Sequence, residues 1–225
     1  MKVLHVLANS PPDVNGYAVR THKILTSQTN ELIALTSPWY PDRDSLVEDY
    51  HNDNVEYLRT VHPARKSQNK FSHKLVKLFT RTNFEETNQI TDEITVKKSL
   101  PLRVFDFFYY GIFKIGRAIR HFFRIGWKVI EEKILIKYFM KRIIEVAKQE
   151  NATLIHAHTP YRVGLPALRA ARKLGLPFVY EMRGMWEETA VANGRWLRNG
   201  PAYRRFQAYE NKVLRKADAV VCISE

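Results

Sequence analysis

Apolar positions along the chain fall into short continuous runs separated by polar, helix-length stretches, the pattern of buried parallel strands alternating with helices. KVLHVL (2–7) is the first run, followed by a loop rich in Pro, Asn and Gly from Asn9 to Gly16 and by helical character from Tyr17 to Gln28. ELIALT (31–36) reads as a second strand ended by Pro38, and NVEYLRT (54–60) alternates as a third. The same rhythm returns later. ATLIHAH (152–158) is a strand, and Pro160 to Leu174 is a helix with Pro near its start and Gly175 just past its end. PFVYEM (177–182) is the next strand, a loop carries Arg183 to Asn199, Pro201 to Lys216 is helical, and DAVVCIS (218–224) is the last strand.

This order predicts an α/β fold, a Rossmann-like parallel sheet with right-handed crossovers. Ligands in such sheets bind beyond the carboxyl ends of the strands. The places to search are therefore the loop after Leu7 and the residues following His158, Met182 and Ile223.

Residues 61–149 break the rhythm and read as a basic helical insertion in a single domain spanning 1–225. From 61 to 100 aliphatic residues are few, with one short helix expected near 72–81; from 102 to 149 long helices rich in aromatics, Lys and Arg are expected. Between 100 and 149 eleven Lys and Arg face four acids, and from 65 to 81 six cations stand with no acid, so these stretches hold the whole net charge of +13. Lys114, Arg117, His121, Arg124 and Lys128 share one helical face, Ile112, Ile115, Ile119, Phe122, Gly126 and Ile130 lie roughly opposite, and Phe123 and Trp127 flank the apolar side. A basic amphipathic helix with aromatics suits an anionic membrane surface; packing of the apolar face on the domain, with the cations solvated, is the other reading.

With 225 residues the chain can bury a core without disulfide or metal. Its single cysteine, Cys222, lies in an apolar run and is expected as a small core residue, and a reducing cytoplasm is expected. No signal peptide or spanning segment stands out. No zinc-type Cys/His spacing occurs, and no signature of sequence-specific nucleic-acid binding accompanies the charge.

Three segments could carry chemistry. Gly16 opens the first helix, where backbone N–H groups and the helix dipole favour an anion, or it merely makes the turn; G-x-G-x-x-G is not complete here, which speaks against NAD or FAD. His156 and His158 lie on one face of their strand, His158 nearer the end and the expected crevice, His156 a pleat deeper and structural. An imidazole at that end could contact a sugar hydroxyl or shuttle a proton, or be a satisfied core histidine; a metal lacks a third ligand of suggestive spacing. Glu181 and Arg183 also share a face, and either pair with each other or present a guanidinium to phosphate, while Gly184 permits a sharp turn.

Together HVLANSPPDVNGYAVRTHKI, LIHAHTPYRVGLPALRAARKLGLPFVYEMRGMWEE and YENKVLRKADAVVCISE resemble the N-terminal domain of family 4 glycosyltransferases of the GT-B fold, of the exopolysaccharide and exosortase-system type. The resemblance covers about 1–40 and 150–225. It implies two Rossmann-like domains facing a cleft, the first holding a glycan or lipid-linked acceptor, the second a nucleotide-sugar, with retention of anomeric configuration and neither metal nor other cofactor. By the same resemblance, Gly16 and neighbouring Asn15 approach the donor phosphate and sugar, and His158 contacts the transferred sugar as the catalytic histidine. Arg183 and Gly184 lie in a further cleft-lining loop. Arg20 and His22, with Tyr161, Arg162 and Glu181, are expected to bind acceptor. The family's Glu-x7-Glu motif belongs to a C-terminal domain, and the chain stops at Ser224-Glu225, so the donor-binding half is expected to be absent and the chain alone to be nearly inactive. A binding subunit of a split transferase and a nucleotide-sugar epimerase lobe are the alternatives. The expected location is cytoplasmic, peripheral on the inner face of the cell membrane, with Lys114, Arg117, Arg124, Lys128 and Trp127 toward the lipid.

Overall fold

Seven strands form one sheet in the order β3-β4-β2-β1-β5-β6-β7. They are β1 (Lys2–Leu7), β2 (Glu31–Thr36), β3 (Tyr50–Asn52), β4 (Val55–Arg59), β5 (Leu154–His158), β6 (Phe178–Met182) and β7 (Ala219–Cys222). All neighbours pair in parallel except β3 with β4. The computed structural model describes residues 1–40, 49–63 and 126–222. The helices expected near 72–81 and over 102–125, with Lys114, Arg117 and Arg124, lie outside the described residues.

Helix α1 (Gly16–Thr26) follows β1, and Asn15 caps it by accepting the Ala18 N–H at 2.8 Å. Helix α2 runs through 126–149. Helix α3 (Tyr161–Leu174) ends at Gly175, whose φ of 68° is the left-handed C-cap that favours glycine. A carboxylate serves at its start: Glu210 on α5 (Pro201–Leu214) accepts the Tyr161 N–H at 2.8 Å and the Tyr180 hydroxyl. Helix α4 (Trp186–Ala192) lies between β6 and α5, within a stretch read from sequence as loop.

Residues 1–66 and 134–225 form one compact unit and 67–133 a second. The boundary differs from the insertion expected over 61–149. Leu135, Ile136, Phe139, Met140, Ile143, Val146 and Ala147 are buried, and most join the main core cluster of β1, β2, β5 and α3 residues. Their three-and-four spacing is that of a core-facing helix, so 134–149 is part of the domain. In the second unit Trp127 and Ile130 are exposed, as is Lys128.

Two further differences concern sheet edges. Asp53 and Asn54, with φ of 45° and 65°, form a two-residue turn that folds β3 back on β4. At the other edge, every residue of β7 is exposed, including Cys222, which corrects its expected burial. Among the described residues, no helix is long and apolar enough to cross a membrane.

Candidate functional site

The carboxyl ends of β1, β5 and β6 meet the start of α1, and the polar residues of this region are closely coupled. Parallel pairing sets His5 opposite His156 and His158 opposite Glu181. Their side chains, with Arg183 just past β6, form one cluster: His5, His158 and Glu181 are 0%, 0% and 4% exposed.

Arg183 is its hub. Its Nε donates to Glu181 Oε1 at 2.8 Å, one Nη donates to Thr21 Oγ1 at 2.6 Å, and the other lies 2.6 Å from His158 Nδ1. The guanidinium stands 4.7 Å over the Tyr17 ring, and the Tyr17 hydroxyl accepts the Ala8 N–H at 3.0 Å. Burial raises the Tyr17 phenol to about 12. Behind Arg183, His158 Nε2 lies 3.1 Å from His5 Nδ1, and His5 Nε2 lies 3.0 Å from Gln28 Oε1. Glu181 Oε2 is 3.0 Å from His158 Nδ1 and 3.5 Å from His156 Nε2.

Burial is the main electrostatic force here. It holds His5 well below the usual histidine value, His156 at about 3 and His158 below its ordinary range, so all three imidazoles are neutral at pH 7. It also opposes ionisation of Glu181, but the Arg183 guanidinium bonded to that carboxyl outweighs it, and the group is held at about 2.

A neighbouring cation supports the β1–α1 loop. Arg59, at the end of β4, donates to the Ser10 hydroxyl, to the Pro11 carbonyl and to Thr36 Oγ1 at 3.2 Å, and stacks 5.2 Å from the Tyr40 ring. The loop that leads to Gly16 is thus fixed from beneath. A Cβ placed on Gly16 would meet nothing within 4 Å, and its φ is not positive, so neither conformation nor packing requires glycine there. Gly184 has φ of 153°, where glycine is favoured, and is exposed beside Arg183.

The structure brings together His158, Glu181 and Arg183, with Gly184 adjoining, and corrects several expectations. His158 does not face an open crevice; it is fully buried with Arg183 bonded to its Nδ1. Asn15 is occupied as the cap of α1, its amide donating to Asp13 at 2.5 Å. His22 lies between Tyr57 Oη at 2.8 Å and Asp53 at 3.0 Å, joining α1 to the β3–β4 hairpin away from the strands' carboxyl ends. Tyr161 is a core residue, packed against Phe206 and Tyr209. Arg20 is exposed on α1, and Arg162 is half-buried at the start of α3. His5, Gln28, Tyr17 and Arg59 were not singled out in the sequence. Only the sheet order, which sets β1 beside β5, makes His5 the third imidazole of the group.

By donor type, the three histidines suit a zinc-like ion, with ring nitrogens within 4.8 Å of one another and Glu181 beside them. Of these groups, the His158 imidazole and the Glu181 carboxylate already contact the Arg183 guanidinium.

The fold and this cluster define a doubly wound, Rossmann-like α/β domain with its polar residues gathered at the carboxyl ends of the strands. The sequence pattern of Glycosyltransferase Family 4 matches residues 76–225, and the chain belongs to that family. The match takes in 76–149, where no motif was named from the sequence, and leaves out the first 75 residues. Among solved structures, the chain is similar to MurG of Acinetobacter baumannii at 12% identity and a TM-score of 0.38, over 100% of this chain and 42% of that one. None of the curated proteins matches it.

Proposed function

We propose that this chain is the acceptor-side lobe of a retaining, metal-independent GT-B glycosyltransferase that moves a sugar from a nucleotide-sugar to a glycan or lipid-linked acceptor. The observation that carries this reading is the rim where Gly16 opens α1 and Arg183 tops the buried cluster. A diphosphate leaving group gains negative charge as the glycosidic bond breaks. Fixed N–H groups and a cation aimed at that charge lower the barrier. Arg183 carries the cation, and the free space over Gly16 lets an anion approach the helix N-terminus. His158 holds the guanidinium from below, a role in keeping with its burial.

Gly16→Ala separates function from folding. It strains no backbone and meets no neighbour, so stability should stay equal or rise by about 0.4–1 kcal/mol. Transfer from a panel of labelled nucleotide-sugars to extracted lipid acceptors, measured on the full native polypeptide, should fall by roughly 10²-fold if the helix start serves the leaving group. Unchanged turnover in Gly16→Ala and in Arg183→Met would remove the proposal.

A further inference from the structure

Nδ1 of His158 has two neighbours with opposite demands. Arg183 Nη2, at 2.6 Å, can only donate, whereas the Glu181 carboxylate oxygen at 3.0 Å can only accept. A neutral imidazole nitrogen satisfies one of them. The shorter contact is to the guanidinium, and Glu181 already accepts from Arg183 Nε at 2.8 Å through its other oxygen. Nδ1 therefore accepts, and the ring proton sits on Nε2.

The consequence travels. With its proton on Nε2, His158 donates to His5 Nδ1 at 3.1 Å. His5 must then carry its own proton on Nε2, and donates it to the Gln28 side-chain oxygen at 3.0 Å. An amide can offer oxygen or NH2, so Gln28 can terminate the chain in either direction. The donor-only guanidinium at the other end selects the direction. His156 does not enter the string: its ring stacks on His158 at 4.5 Å, and among the described residues its Nε2 makes no hydrogen bond, the Glu181 carboxylate standing 3.5 Å away.

We propose that Arg183, His158, His5 and Gln28 form a one-way hydrogen-bond relay, in which His5 and Gln28 are positioning residues that keep His158 in the tautomer able to hold Arg183. The relay has a mirror state. If Arg183 turns to a bound anion, His158 Nδ1 takes up the proton and donates to Glu181, His5 reverses in step, and Gln28 presents its NH2. No proton is gained or lost; each ring moves one from Nε2 to Nδ1. This consequence rests on the transfer-site reading, but the relay itself does not, and it is measured without turnover.

The test is long-range 1H–15N correlation on protein labelled with 15N-histidine, which shows which ring nitrogen bears the proton. In the unmodified chain both His5 and His158 should show protonated Nε2 and bare Nδ1. Gln28→Glu, whose carboxylate can only accept, should keep that pattern. Arg183→Met removes the donor and should move the proton to Nδ1 in both rings, including His5, which Arg183 does not touch. Inorganic pyrophosphate added to the unmodified chain should give the same reversal if it draws Arg183 away. A protonated Nδ1 on either ring of the unmodified chain overturns the relay, and so does a His5 pattern that ignores Arg183→Met in a folded variant. If both rings follow the relay yet no sugar is transferred, the transfer reading alone fails.

Discussion

At the scale of single residues, three imidazoles, a carboxylate and a guanidinium share a largely buried cluster, and this ties their protonation to folding. Burial depresses His5, His156 and His158 below the histidine value of 6.5, with His156 at about 3. Between 6.5 and those depressed values the unfolded chain binds protons that the folded chain refuses, so acidification destabilises. Each such histidine steepens the loss by about 1.4 kcal/mol per pH unit. Glu181, brought from 4.5 to about 2, adds a second window of the same sign, in which its stabilisation is full above 4.5 and lost as pH falls toward 2. Urea midpoints should therefore decline from about pH 6.5 downward, and His156→Gln should flatten the decline between pH 6 and 4. A flat profile from pH 7 to 5 would show that these rings are not buried neutral. Glu181→Gln has a different signature. It strips the buried guanidinium of its counter-charge and should cost about 3–5 kcal/mol at pH 7. That loss should shrink as pH falls from 4.5 toward 2, where the carboxyl of the unfolded wild-type chain takes up a proton before that of the folded chain.

Among the described glycines, the one with least room for a side chain lies where α3 meets β6. A Cβ on Gly164 would sit 2.5 Å from Tyr180 Cε2 and 3.0 Å from Val213 Cγ1. Tyr180 cannot swing aside, because its ring is buried and its hydroxyl is bonded to Glu210. Gly164→Ala should cost about 1–3 kcal/mol through overpacking, seen as a lower urea midpoint with an unchanged slope, whereas Gly16→Ala should not. Helix propensity alone would make both substitutions favourable, so the contrast isolates the contact. The same scale shows what sequence pattern reveals. β1 and β2 were legible to the residue, because continuous apolar runs bounded by turn residues mark buried parallel strands. β3 escaped notice because it is short and polar, although Asp53-Asn54 is a hairpin signal. The His158–Glu181–Arg183 group could be suspected from alternation along β5 and β6. Its completion by His5 could not, since cross-strand neighbours depend on sheet order. Strand-end histidines look exposed in sequence, but a long cation from the next strand covers His158.

For the whole molecule, charge is the property that reaches furthest. The net charge of +13 comes from the two basic stretches, and at the described end of the second, Trp127 is 67% and Ile130 50% exposed. We infer a peripheral association with anionic membranes, which would bring the domain to lipid-linked acceptors. Each Lys or Arg near an anionic surface contributes about 1 kcal/mol, and an exposed indole settles at the headgroup level. The chain should float with vesicles containing about a third anionic lipid and stay behind with purely zwitterionic ones. Salt separates the two contributions: at about 1 M the Debye length is near 3 Å, so attraction to the surface charge is largely lost. Trp127→Glu should weaken flotation at low salt without changing the urea midpoint, because two thirds of the ring is already in solvent. Equal absence from both kinds of vesicle at low salt would leave the cations as a solvated face, and the charge would then bear on solubility rather than on location.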